Sequence, residues 1–299
     1  MSTDAERAAG RPRAAAVDAN REATGAIAPT LRKEAEMLLM NKVAVIYGAG
    51  GAIGGAVARA FAGEGARLFL TGRRRTTVEP VAEEIRRAGG SADAAEVDAV
   101  DERAVDEHLR RVIDKAGRID ISFNAIGVGH DGILGVPLAE LDVRNFVLPI
   151  TAYTKSYFLT ARTAARHMIP NKSGVIMTVT ALPARMGSPL NGGYGSAQAA
   201  KEALTRDLSH ELARQGIRVV ALRPHGIPET GTLQEVHAMK AKASGMTWEQ
   251  FTGYLGSMTH SRRGSTLAEL ASMAAFVASD RASGLTGTIV NMTMGSLDD

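Results

Sequence analysis

The segment Gly48-Ala49-Gly50-Gly51-Ala52-Ile53-Gly54-Gly55 lies between the apolar run Val43–Tyr47 and the Ala-rich stretch Ala56–Ala62. A glycine turn placed between a strand and a helix lets backbone N–H groups approach a pyrophosphate at the positive end of the helix. Gly48, Gly51, Ile53 and Gly54 are the candidate contacts. A second run ends Leu70-Thr71-Gly72-Arg73-Arg74-Arg75. A fold that binds NAD usually carries an acid there, accepting bonds from the adenosine ribose. No acid is present, and an arginine fork suits a 2′-phosphate instead. Arg73 and Arg74 therefore point to NADP(H) in preference to NAD(H), while Arg75 reads as a solvated turn residue. Asp98, Asn124, Ala125 and Gly127 each follow a further β-rich run. They offer an acceptor for the adenine amino group and a small wall beside the adenosine.

These residues need elements to position them, and from Lys42 onward short β-rich runs alternate with longer helical stretches. The strand candidates are Val43–Tyr47, Arg67–Thr71, Ala94–Val97, Ile119–Phe123, Gly174–Thr180, Arg218–Leu222 and Thr288–Asn291. Seven strands with helices between them predict an α/β fold, a doubly wound parallel sheet in a single domain spanning 41–299. Such a sheet binds ligands beyond the carboxyl ends of its strands, where the candidate residues fall. Between the sixth and seventh strands, Pro228–Arg263 is a long polar and Met-containing insertion that reads as a lid. Residues 1–40 read as an N-terminal extension, mobile or clasping a second subunit, because they lack a sustained apolar face and contain Pro12 and Pro29.

Composition narrows the partners. The chain has 299 residues, 45% apolar, with 35 Lys+Arg against 32 Asp+Glu. That is the profile of a soluble globular protein. A net charge of +3 without clustering argues against nucleic acid. The longest uncharged stretches, Val43–Ala58 and Ala282–Leu297, fall short of the roughly 20 apolar residues a membrane helix needs, so no membrane partner is expected. There is no cysteine, which fits a reducing compartment and a cytoplasmic location. The histidines show no ligand spacing, and no metal is predicted.

Taken together, the Gly48/Gly54 turn, Asp98, Asn124–Gly127, Tyr194, Gly216-Ile217-Arg218-Val219 and Leu285-Thr286-Gly287 resemble the short-chain dehydrogenase/reductase family across Asn41–Gly295. The resemblance implies a Rossmann-type enzyme, usually a homotetramer or homodimer, that transfers hydride between a nicotinamide and an alcohol or carbonyl carbon. It also implies a catalytic set of Asn, Ser, Tyr and Lys, which this chain departs from. Register along the chain puts Tyr153 at the asparagine position and Ala181 at the serine position, with Thr180 beside it. Tyr194 matches the tyrosine. Gln198 stands where the lysine is expected; it cannot lower the tyrosine pKa by charge, yet it can still hydrogen-bond ribose hydroxyls.

Lys201 is a candidate substitute for the lost cation. Seven residues along a helix amount to about 700°, so Lys201 shares a face with Tyr194, roughly 10.5 Å further along the axis. The Tyr-x6-Lys spacing is similar to that of divergent enoyl-acyl-carrier-protein reductases in the same superfamily. Equally, Lys201 can be an ordinary surface or interface residue of its helix. The segment Pro224-His225-Gly226-Ile227 resembles the family's stretch under the nicotinamide, which makes Ile227 a cofactor contact. His225 replaces a glycine there and is either structural or an acid/base group.

Two functional classes follow. The first is an NADP(H)-dependent oxidoreductase acting on a carbonyl, alcohol or enoyl substrate. In it Tyr194 handles the proton, Lys201 or water assists, and the lid closes over a small molecule. Met239, Met246, Trp248, Phe251, Tyr254 and Met258 fit an apolar substrate or simply pack the lid. The second is a dinucleotide-binding protein without redox turnover, a sensor or inactive partner subunit, which the changes at Ala181 and Gln198 favour.

Overall fold

Every residue of Val43–Tyr47 (β1) is buried, as expected of a strand at the centre of a parallel sheet covered on both faces. The structure is a computed structural model that describes residues 37–129, 132–243 and 245–298. After β1 come α1 (Ala52–Gly63), β2 (Arg67–Gly72), α2 (Arg75–Arg87), β3 (Ser91–Glu96), α3 (Glu102–Ala116) and β4 (Ile121–Asn124). The second half comprises α4 (Val143–Met168), β5 (Gly174–Val179), α5 (Tyr194–Leu212), β6 (Ile217–Pro224), α6 (Gly231–Ala243), α7 (Trp248–Ser257), α8 (Leu267–Ala278) and β7 (Thr288–Met292).

The seven strands form one sheet in the order β3-β2-β1-β4-β5-β6-β7, and each adjacent pair is parallel. The predicted doubly wound α/β architecture is thus present. Strand alternation divides the core between the two faces of the sheet. Ala44 and Ile46 pack with Phe61 of α1, Val81 of α2 and Leu270 of α8. Val43, Val45 and Tyr47 pack with Leu109 of α3, Tyr157 of α4 and Leu212 of α5. Strand order reverses at β1 and β4, and ligand crevices open at such a switch point.

Several strand bounds move by one or two residues, with β4 at Ile121–Asn124 rather than Ile119–Phe123, and two expectations shift further. β3 covers Ser91–Glu96 rather than Ala94–Val97. It is an edge strand of Ser, Ala, Asp and Glu, so it lacks the apolar run that marks a strand, and pairing with Arg67–Gly72 sets its start instead. The predicted extension, residues 1–40, lies outside the described residues up to 36. Leu38 and Leu39, which the sequence assigns to that extension, join the body: Leu39 is fully buried, and the Leu38 amide donates to Glu64 Oε2 at 2.8 Å. Among the described residues, no helix is long and apolar enough to cross a membrane.

Candidate active site

At the carboxyl end of β1 the backbone turns at Gly48 with φ +78°, and a Cβ there would lie 2.6 Å from the Ala125 carbonyl oxygen. A Cβ at Gly54 would lie 2.3 Å from the Gly48 carbonyl oxygen. Only glycine permits both approaches, and they seat the first turn of α1 directly on the strand end. The contrast with other helices is instructive. Asp101 caps α3 by accepting from the Arg103 and Ala104 amides, and Thr247 and Thr266 form capping boxes on α7 and α8. Helix α1 starts at Gly51 with no side-chain cap and no acid in its first turn, so its leading N–H groups are left for another acceptor.

Those amides open into a crevice of about 1290 Å³, larger than the roughly 300–1,000 Å³ of a drug-sized site. Gly48, Gly51, Ile53 and Gly54 line it, together with Arg73, Arg74, Asp98, Ala125, Gly127, Gln198 and Ile227. Arg73 and Arg74 are exposed, and neither has an ion-pair partner among the described residues. Arg75, by contrast, pairs with Glu79 at 2.9 Å. Asp98 turns one oxygen to the Val100 amide at 3.2 Å. Asn124 belongs behind the wall rather than in it. It is buried, its Nδ2 donates to Thr160 Oγ1 at 3.1 Å, and its Oδ1 accepts from the Ile126 amide at 3.3 Å. Its role is to shape the Ala125–Gly127 turn that forms the wall.

The other half of the crevice contains Tyr194, at the first position of α5. Its ring meets Tyr153 of α4 edge to face, with centroids 5.7 Å apart. Burial, and secondarily the neighbouring Tyr153, holds the Tyr194 phenol well above its ordinary pKa, so the group is protonated at neutral pH. Ala181 lines the crevice without a hydroxyl. Thr180 does not supply one, because its Oγ1 is occupied by Glu202 Oε1 at 3.1 Å and the Leu222 carbonyl at 3.4 Å.

Gln198 lies one turn beyond Tyr194, and its Oε1 is buried with no partner in the protein. A buried acceptor without a donor is uncommon in native structures. An acceptor aimed into a crevice that also presents helix-end amides fits a ligand rich in hydroxyls and phosphates, and a nicotinamide dinucleotide has both.

Lys201 is not in that wall. Its ammonium donates to the Val179 carbonyl at 2.5 Å and lies 5.5 Å from the Tyr153 ring centre and 6.0 Å from that of Tyr157. It is 1% exposed, and burial pushes its pKa down to about 7. The shared helix face places it one side-chain layer behind Tyr153.

The sequence gives no sign of three further features. Glu202 of α5 and Arg223 of β6 form a buried bidentate pair at 2.7 and 2.9 Å. Lys240 of α6 reaches Ser188 and Asn191, both in the loop before α5. His237 meets Phe251 edge to face at 5.4 Å. No local motif marks any of these, since each joins segments far apart in the chain. Of the apolar lid residues, Met246, Phe251, Tyr254 and Met258 line the crevice, and so does His225.

A family model described as enoyl-(acyl carrier protein) reductase matches residues 48–296. The uncharacterized oxidoreductase YxbG of Bacillus subtilis (strain 168) is 32% identical over 249 residues, covering 83% of this chain and 88% of that protein. Among solved structures, sorbitol-6-phosphate 2-dehydrogenase SrlD from Erwinia amylovora is similar with a TM-score of 0.81 and 26% identity, over 86% of this chain and all (100%) of that one. An NAD+-bound xylitol dehydrogenase is similar with a TM-score of 0.80 and 25% identity, over 86% of this chain and 99% of the other.

Proposed function

Because this chain belongs to the short-chain dehydrogenase/reductase family of NAD(P)-dependent oxidoreductases, we propose that it is an NADP(H)-dependent reductase of a carbonyl or enoyl substrate. One observation carries the proposal: a single crevice runs from the uncapped amides of α1 to the phenol of Tyr194. When bound, the nicotinamide supplies the hydride.

The protein's own residues do the rest. The N–H groups of Ala52 and Ile53 at the start of α1 donate to the pyrophosphate, and the helix dipole favours that charge. Arg73, with Arg74 beside it, holds the 2′-phosphate, and Asp98 accepts from the adenine amino group. Gln198 Oε1 accepts from a ribose hydroxyl, while Ala125, Gly127 and Ile227 supply close walls. Tyr194 donates its proton to the substrate oxygen. A phenol held protonated suits reduction, in which oxygen gains a proton, better than alcohol oxidation. Lys201 acts on the site through the Tyr153 ring, as a positioning group.

The apolar residues Val143, Val147 and Phe158 are exposed along one face of α4. That exposed apolar face supports a homodimer or homotetramer in which copies of the chain cover it.

The test is NADPH oxidation against carbonyl and enoyl panels, run beside NADPH titration. Tyr194→Phe is expected to lower turnover by roughly 100-fold or more and to leave NADPH affinity within about three-fold, as for a group that touches substrate alone. Unchanged turnover would remove Tyr194 from the mechanism. Tight NADPH binding without oxidation by any panel member would replace the enzyme with a nucleotide-responsive binding protein.

A further inference from the structure

Beyond Tyr194 the crevice is walled by the insertion that contains α6 and α7, whose described lining residues include no carboxylate. Lys240 Nζ donates to Ser188 Oγ and Asn191 Oδ1, both at 2.9 Å. An ammonium has three N–H bonds, so one remains to be used. The Asn191 amide nitrogen is also buried and without a partner, as are Nδ1 of His237 and Nδ1 of His225. All four residues line the crevice. The only carboxylate among its described lining residues is Asp98, at the end of β3 on the far side of the sheet. The rest of this half is apolar, with Leu134, Val236, Met246, Phe251, Leu255 and Met258.

These donors sit beside the reacting group. The Tyr194 amide donates to the Asn191 backbone carbonyl at 3.1 Å, which ties the Asn191 backbone to the start of α5. The Tyr194 ring packs against Ile133, Leu134 and Val236, and Val236 lies one helical turn before Lys240 on α6.

We propose that Lys240 and Asn191, with His237 alongside, form a receptor for an oxyanion on the substrate, so that the enzyme takes an apolar carbonyl or enoyl compound ending in a carboxylate or phosphate. The proposal rests on the reductase function above and specifies its substrate class. Two unspent donors, the third Lys240 N–H and the Asn191 amide, match the two oxygens that such an anion presents. Burial lowers the pKa of Lys240, the cost of an ammonium with no counter-charge, and an anion in the receptor would offset it. His237 is held down to about 4 by burial first and then by the neighbouring Lys240 and His225, so it stands neutral beside the receptor and adds no charge.

Trp248, the chain's one tryptophan, lies 6.0 Å from the His237 ring and reports occupancy by its fluorescence. The full-length protein, with and without NADP+, is titrated with decanoate, decyl phosphate and 1-decanol. One or both anions should bind roughly ten-fold or more tightly than 1-decanol, and the tighter of the two identifies the head group. Lys240→Met should bring that anion to the level of 1-decanol while leaving 1-decanol and NADPH affinity unchanged. Asn191→Asp, which keeps an oxygen for Lys240, should weaken the anions by like-charge repulsion and serves if Lys240→Met disturbs the lid. Equal binding of alcohol and anions, or equal weakening of all three by both variants, would overturn the receptor. If the anions follow the expected order while no carbonyl or enoyl compound oxidises NADPH, the receptor stands and the reductase function falls.

Discussion

At the scale of single residues, the candidate nucleotide contacts line one crevice together with Tyr194, and the proposed proton transfer depends on what surrounds that tyrosine. Ala181 and Gln198 remove a hydroxyl and a cation from the surroundings of Tyr194, and Thr180 cannot replace the first because Glu202 and Leu222 occupy it. What remains is a phenol whose burial keeps it protonated. Arg73 can be tested on its own, because it faces the crevice without an acidic partner among the described residues. Arg73→Ala should weaken NADPH by roughly ten-fold or more, the worth of a charge-assisted phosphate contact, and leave NADH nearly unaffected. Equal weakening of both coenzymes, measured by titration, would reject the 2′-phosphate assignment.

At the scale of elements, α5 is the part on which the proposed chemistry depends, since it bears Tyr194, Gln198 and Lys201. It is anchored from below. Glu202 pairs with Arg223 of β6 at 2.7 and 2.9 Å with both side chains almost fully buried, and the same carboxylate accepts from Thr180 at the end of β5. Removing one member of a buried pair takes a counter-charge from the other, which costs about 3–5 kcal/mol. Glu202→Ala should therefore lower unfolding free energy by that order in urea titration. A loss under about 1 kcal/mol, the worth of an exposed pair, would show that the anchor contributes little.

For the molecule as a whole, Lys201 makes stability depend on pH. Its pKa is 10.5 when unperturbed and about 7 in the fold. Between those values the unfolded chain binds a proton that the folded chain has released. Stability contributed at this site therefore rises with pH through the window, by at most about 1.4 kcal/mol per pH unit. Below pH 7 both states are protonated and the full cost of burying the charge remains. Lys201→Met should thus raise Tm more at pH 6 than at pH 9.5, and an equal gain at both would mean that the ammonium is not buried as described. Assembly is the second whole-molecule property. Sedimentation of the full chain at micromolar concentration should give two or four copies, and a monomer would leave the exposed face of α4 unexplained.

How much was legible in the residues themselves depends on how locally each feature is encoded. β1 could be read to the residue because a buried parallel strand writes itself as an unbroken apolar run, whereas the polar edge strand β3 could not, since its neighbour β2 sets its start. The glycine turn, Arg73 and Asp98 were visible because strand ends of a doubly wound sheet converge on one crevice, so position in the chain implies position in space. Helical periodicity put Lys201 on the face of Tyr194, yet only packing decided that the Tyr153 ring stands in front of it. Asn124 was visible as a strand-end residue, but its side chain turned out to be committed to Thr160 and Ile126. Lys240 and Asn191 are 49 residues apart, and Glu202 and Arg223 are 21 apart. Contacts of this kind leave no local pattern, because they form only once helices and loops are folded against the sheet, and the tertiary structure alone determines them.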